Sequence, residues 1–206
     1  MNTNVYAYYH KVPGIDAGVE SELIALWHKS WAAQGWTPLL LSHPHAAAHA
    51  RYREYDQHTR RFPSVNFKEY ERSCFLRWLA LARVGGGLQT DYDVINRNFR
   101  PVDLALLSGA PPNIFDRGRV PCAVYSTAPE QIVDKIMSTA PNYALQQQTD
   151  MTIFQTTDWP HGGSVGAEFG DSGWEDVRFV HFAHSSCNRH APGQKRADVI
   201  RREMKL

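Results

Sequence analysis

Cysteine is scarce in this chain of 206 residues. The three cysteines, Cys74, Cys122 and Cys187, are odd in number and widely spaced. They match neither a disulfide framework nor the paired spacing of a zinc motif. We therefore expect a reduced, cytoplasmic protein.

An excess of charge of one sign is also missing. The chain has 22 Lys and Arg residues against 21 Asp and Glu residues, a net charge of +1. Its basic residues are scattered, apart from one cluster, Lys195-Arg196 and Arg201-Arg202, at the carboxyl end. Nucleic-acid binding needs a concentrated basic surface, so we expect no nucleic-acid partner.

Long hydrophobic runs are absent too. No run approaches the roughly 20 apolar residues that span a bilayer, and Met1-Asn2-Thr3-Asn4 lacks the basic and apolar parts of a signal peptide. We expect no transmembrane segment. Without repeats or a linker-like composition, residues 1–206 are expected to form a single domain, whose oligomeric state the sequence does not determine.

Strand and helix signals alternate along the chain. Such alternation predicts an α/β fold, a Rossmann-like mixed sheet flanked by helices. Ligands of open α/β sheets bind beyond the carboxyl ends of the strands, where Tyr8-Tyr9-His10 and Asp91-Tyr92-Asp93 are expected. Strands are predicted over residues 5–9, 36–42 and 120–126, and helices over 20–34, 44–61, 67–84 and 129–139.

Asp91-Tyr92-Asp93 is the most informative stretch. An extended segment directs two carboxylates that flank one residue to the same side, and Tyr92 to the other. Hard oxygen ligands of this kind suit Mg²⁺ or Mn²⁺ bridged to phosphate oxygens. The stretch therefore predicts a site for a metal ion and a diphosphate.

The residues before this pair extend the pattern. Arg77, Leu81, Gly85-Gly86 and Asp91-Tyr92-Asp93-Val94 follow one another in an order that resembles the DXD-containing sugar-binding region of one glycosyltransferase family. That family is typified by yeast initiating α-mannosyltransferases and bacterial capsule enzymes (family 32-like). Here Cys74 stands where the family usually has an Asp, and one extra residue precedes the first Asp. The resemblance implies a single GT-A-like domain.

The resemblance also implies an activity. Its members transfer a sugar, with retention of configuration, from a nucleotide-diphosphate donor to a glycan or another hydroxyl acceptor. For this chain it implies a UDP- or GDP-linked donor and a Mn²⁺ or Mg²⁺ ion. Two alternatives remain: a metal-dependent nucleotide-sugar phosphohydrolase, and a non-catalytic carbohydrate-binding protein that stacks its aromatic residues on sugar rings.

Site residues follow from the same resemblance. Arg77, on a helix, is expected to face the donor, and Asp150 to lie close to the donor and acceptor sugars, although a helix cap is the alternative for Asp150. Tyr8 and His10 are expected to contact the nucleotide. The donor site is completed by Asp91, Gly86 and Gly87.

A late apolar run ends at a histidine. Residues 177–186 place His181 at the end of a predicted strand, similar to the histidine that completes the metal site in several GT-A families. His184 is the near alternative, and a hydrogen bond beneath a loop is the structural explanation for either residue. The glycine-rich segment from Trp159 to Trp174 predicts a loop that closes over the donor.

Overall fold

The computed structural model describes residues 2–11, 17–106, 112–115, 123–160 and 165–206, which form two sheets flanked by helices. The strands are β1 (Asn4–Tyr8), β2 (Thr37–Leu41), β3 (Gly87–Thr90), β4 (Val94–Asn96), β5 (Asn113–Ile114), β6 (Ala123–Ser126), β7 (Gly166–Glu168) and β8 (Phe179–His181). The helices are α1 (Ala17–Ala32), α2 (His43–Ala47), α3 (Tyr52–Thr59), α4 (Lys68–Arg83), α5 (Glu130–Ser138), α6 (Asp150–Phe154), α7 (His184–His190) and α8 (Arg196–Met204), with a 3-10 helix at Pro101–Leu106.

The larger sheet is mixed, in the order β2-β1-β3-β6-β5. Strands β2, β1 and β3 are parallel, β6 is antiparallel to β3, and β5 is antiparallel to β6. Ala7 of β1 pairs with Thr90 of β3, so the carboxyl ends of these two strands lie side by side. The predicted α/β class with a mixed sheet is confirmed.

The smaller sheet has the order β4-β8-β7. Strand β4 is antiparallel to β8, and Val94 pairs with His181. Because β3 ends at Thr90 and β4 begins at Val94, residues 91–93 carry the chain from one sheet to the other. The acidic stretch therefore lies at the junction of the two sheets, beside the end of β8.

Helix α1 packs one face against this junction. Leu23, Leu26, Trp27 and Trp31 are buried, at the spacing that places side chains on one face of a helix. The indole N–H groups of Trp27 and Trp31 donate to Thr90 Oγ1 and to the carbonyl of Val94, at 2.9 Å each. A buried indole needs such a partner, so these bonds tie α1 to both ends of the acidic stretch.

Glycine is required where α4 turns into β3. Gly86 has φ +91°, and a Cβ atom there would lie 2.4 Å from the carbonyl oxygen of Ser126. Only glycine combines this left-handed conformation with so close an approach to another backbone. The turn delivers β3 between β1 and β6.

The structure differs from the predictions in two segments. Residues 44–61 form two helices, α2 and α3, instead of one. At the break His49 contacts Glu130 on α5 at 2.8 Å, and Arg51 pairs with Asp134 on the same helix. The single predicted helix was wrong because local periodicity carries no information about these tertiary contacts.

The segment between Trp159 and Trp174, predicted as a loop, contains strand β7. A Cβ atom on Gly166 would lie 2.2 Å from the ring of Phe179, so this glycine permits close packing within the smaller sheet. Gly162 and Gly163 lie outside the described residues. Among the described helices, none is long and apolar enough to cross a bilayer.

Candidate metal centre

Residues 91–94 form a tight turn between the two sheets. The N–H of Val94 donates to the carbonyl of Asp91 at 3.1 Å, the bond that closes a four-residue turn. The predicted extended conformation was therefore wrong. Asp91 and Asp93 nevertheless converge with His181, whereas the Tyr92 hydroxyl reaches Glu20 on α1.

The structure brings His181 to this pair. One ligand atom from each of Asp91, Asp93 and His181 lies within 4.8 Å of the other two, and His181 Nε2 lies 3.4 Å from Asp93 Oδ1. Strand pairing fixes the arrangement, because the Phe182 N–H donates to the carbonyl of Asp93 at 2.9 Å. His181 is buried.

His184 is not part of this group. It begins α7, its side chain is exposed, and its Nε2 lies 3.0 Å from Asn188 Nδ2. Strand β8 ends at His181, and the two residues that follow lead into α7, which begins at His184. Of the two histidines that the sequence left open, only His181 lies with the carboxylates.

Two arginines neutralise the carboxylates. Arg77, on α4, pairs with Asp91, and its Nε and Nη2 also donate to Asp150 Oδ2 at 3.1 and 2.6 Å. Arg196, the first residue of α8, donates to Asp93 Oδ2 at 2.8 Å. Each acidic side chain of the turn therefore has its own guanidinium.

The two carboxyls differ in their electrostatics. Burial raises the pKa of Asp91 to about 6, with a contribution from Asp93 and against the opposing charge of Arg77. Burial acts on Asp93 in the same direction. The charge and hydrogen bond of His181, the charge of Arg196 and a backbone hydrogen bond outweigh burial, so the pKa of Asp93 lies below its usual range. Asp93 is the more firmly ionised member of the pair.

Asp150 lies behind Arg77. It is buried in the first turn of α6, after Thr149, the N-cap residue, whose side chain accepts the N–H of Thr152. Asp150 Oδ2 also accepts the indole N–H of Trp78 at 2.9 Å. These bonds make Asp150 an anchor for Arg77 within the described structure, with little surface left for a sugar.

Tyr8 is the last residue of β1, and His10, two residues later, lies in different surroundings. Tyr8 is buried in the core against α4, with its hydroxyl enclosed. Burial raises the pKa of Tyr8 above its usual range. His10 is partly exposed, and its ring centroid lies 5.7 Å from that of His43. Of the two, only His10 presents accessible surface.

Gly86 and Gly87 lie away from the acidic turn. Gly87 begins β3, four residues before Asp91, which is about 13 Å along an extended strand. A Cβ atom on Gly87 would lie 2.9 Å from the ring of Tyr6. Packing within the sheet explains both glycines, and the structure does not bring them to the candidate site.

A pocket of about 460 Å³ borders the site on the side of Arg196. Its lining comes from the start of α1, from α7 and from the start of α8. The lining cations are Lys195 and Arg196, with His184 and Asn188 beside them. Arg196 thus faces both the pocket and Asp93.

In the sequence, Arg196 stands out only as part of the basic cluster at the carboxyl end. Its partner Asp93 is 103 positions away, and no local pattern signals that pairing. Glu20 accepts a hydrogen bond from the Tyr92 hydroxyl, and no local pattern in the sequence signals this contact either.

Comparison with known proteins places the chain in a family. A family model described as a domain of unknown function, DUF8765, matches residues 1–108, more than half of the chain. The chain belongs to the DUF8765 family. The part that matches DUF8765 contains Arg77 and the acidic turn, whereas Asp150, His181 and Arg196 lie beyond it. No curated protein and no solved structure matches the chain.

Proposed function

We propose that this chain is a metal-dependent glycosyltransferase that moves a sugar from a nucleotide-diphosphate donor to a glycan or another hydroxyl acceptor. The observation that carries the proposal is the convergence of Asp91, Asp93 and His181 at the junction of the two sheets. This junction lies at the carboxyl ends of parallel strands β1 and β3, where open α/β sheets bind their ligands.

The three side chains fit a divalent ion of the expected kind. Carboxylate oxygens suit Mg²⁺ and Mn²⁺, and the imidazole nitrogen favours Mn²⁺ of the two. Two ligand atoms about 2.1 Å from one ion are at most about 4.2 Å apart. The ligand atoms of these three side chains lie within 4.8 Å of one another, so small movements would bring them to one ion. Asp91, Asp93 and His181 would hold the ion. When bound, it neutralises charge on a phosphate leaving group.

The cations around the turn support a phosphate-bearing ligand. Arg77 stands beside Asp91, and Arg196 stands between Asp93 and the neighbouring pocket, which Lys195 also lines. Guanidinium groups present paired N–H donors that match phosphate oxygens. In the proposed reaction Arg196 and Lys195 bind and orient the departing diphosphate, while Asp150 keeps Arg77 in place.

The GT-A assignment belongs to the same proposal. It is supported by a mixed sheet whose parallel strands lead into the acidic turn, and by a small second sheet that carries His181. Transfer with retention of configuration follows from the family resemblance. In that mechanism the leaving phosphate takes the acceptor proton, and no separate carboxylate base is needed.

Nucleotide binding tests the proposal directly. We expect UDP or GDP to stabilise the protein in a thermal shift assay when Mn²⁺ is present and not in its absence. Calorimetry should show that Asp93→Ala and His181→Asn lose this binding. Two matched variants, Asp134→Asn on α5 and His28→Asn on the exposed face of α1, remove similar side chains outside the acidic group and the pocket and should bind as the parent does.

Two results would count against the proposal. If Asp93→Ala still binds the nucleotide in a metal-dependent way, the assignment of the metal site is wrong. If the nucleotide binds but a panel of UDP- and GDP-sugars is hydrolysed to nucleoside monophosphate and sugar phosphate, at the same rate with and without glycan acceptors, the protein is a phosphohydrolase and not a transferase.

A further inference from the structure

Glu20 is a buried carboxylate that holds two tyrosine hydroxyls. It lies in the first turn of α1 and is 3 % exposed. Its Oε1 accepts the hydroxyl of Tyr92 at 2.9 Å, and its Oε2 accepts the hydroxyl of Tyr9 at 3.1 Å. A buried carboxylate is costly unless it is hydrogen-bonded, so both tyrosines stabilise it.

Tyr92 connects this carboxylate to the acidic turn. It is the central residue between Asp91 and Asp93, and its side chain points to α1 while theirs point to His181. Fixing the Tyr92 side chain fixes the direction in which the neighbouring carboxylates leave the backbone.

Helix α1 holds the turn at three successive points. Glu20 holds Tyr92, Trp27 holds Thr90 just before the turn, and Trp31 holds Val94 at its end. Positions 27 and 31 lie seven and eleven residues after position 20, which places all three on one face of an α-helix. One helix therefore contacts the chain before the acidic pair, between its two members and after it.

We propose that α1 is the element that positions the acidic turn, and that Glu20 is a positioning residue which acts through Tyr92. The proposal rests on the metal site of the proposed function for its effect on affinity. Its effect on the turn itself does not need the metal. Groups that orient metal ligands without touching the ion typically change metal affinity by about 10- to 100-fold when they are removed.

Tyr92→Phe and Tyr9→Phe form a matched pair for the test. Each removes one hydroxyl that donates to Glu20, but only Tyr92 belongs to the turn. Free Mn²⁺ is measured by electron paramagnetic resonance as protein is added. We expect Tyr92→Phe to bind Mn²⁺ about 10-fold more weakly than the parent, and Tyr9→Phe to bind within about 2-fold of it, since the outer-shell effect should be confined to the turn.

Hydrogen exchange without metal gives the second readout. The Val94 amide donates to the carbonyl of Asp91 and so reports on the closed turn. We expect this amide to exchange faster in Tyr92→Phe than in Tyr9→Phe, with matching exchange in the core helices of both. Glu20→Gln keeps an acceptor for Tyr92 and should give a smaller effect of the same kind, and it replaces Tyr92→Phe should that variant not fold.

The outcomes separate this inference from the proposed function. A parent protein that binds no Mn²⁺ contradicts the metal site, while Val94 exchange still decides the role of Glu20. Equal Val94 exchange in the two tyrosine variants overturns the inference, whatever the metal does. Equal Mn²⁺ affinity in both variants, with a parent that binds, overturns it as well.

Discussion

Replacing Asp150 by Asn should destabilise the protein strongly. The carboxylate is 2 % exposed and accepts two bonds from Arg77, whose own side chain is 8 % exposed. It also accepts the indole N–H of Trp78. The variant keeps the size of the side chain but leaves the buried guanidinium of Arg77 with one carboxylate partner, Asp91, instead of two.

The magnitude follows from the burial of both partners. Removing one partner of a buried ion pair costs about 3–5 kcal/mol, because the other charge stays in a poorly solvated place. Asp91 still pairs with Arg77, so we expect the lower end, about 3 kcal/mol. That is a large part of a typical unfolding free energy of about 5–15 kcal/mol. At this chain length it corresponds to a fall of about 6–12 °C in Tm.

Urea unfolding followed by tryptophan fluorescence and far-UV circular dichroism measures this loss. Asp134→Asn is the control. The Asp134 side chain pairs with Arg51 but is 65 % exposed, so its replacement should cost less than about 1 kcal/mol. The loss in Asp150→Asn should persist at about 1 M NaCl, since buried pairs are poorly screened.

A loss below about 1 kcal/mol in Asp150→Asn would refute the reasoning, because it would mean that the pair is solvated like a surface pair. A double-mutant cycle adds a second check. Arg77→Met combined with Asp150→Asn should cost at least about 1 kcal/mol less than the sum of the single variants, since the double variant leaves no buried cation without its partner.

Two further predictions concern stability away from the site. Arg72 and Arg60 bind Asp56 and, against the effect of burial, hold the pKa of Asp56 below its unfolded value. The stability that Asp56 contributes is therefore present above about pH 4 and lost as the pH falls below it, so the deficit of Asp56→Asn in urea unfolding should shrink on acidification; a deficit independent of pH would contradict this. Gly86→Ala should cost clearly more stability than Gly85→Ala. Both glycines have positive φ, but only a Cβ on Gly86 would meet a backbone oxygen at 2.4 Å, and equal costs in the same assay would show that this contact relaxes freely.

Local patterns were sufficient for much of the fold. The apolar spacing of α1 determines which face is buried, and the alternation of strand and helix signals gives the α/β class. The acidic pair is visible in the sequence because two carboxylates around one residue can converge whether the backbone is extended or turned. Here it is turned, which local sequence did not indicate.

Tertiary structure decided which side chains surround that pair. His181 rather than His184 joins it, because β8 pairs with β4 and ends at His181. Asp150 and Arg196 take their partners, Arg77 and Asp93, from positions 73 and 103 residues away. The spacing of residues along a chain fixes geometry only within one helix or strand, whereas contacts over such separations depend on how the elements pack together.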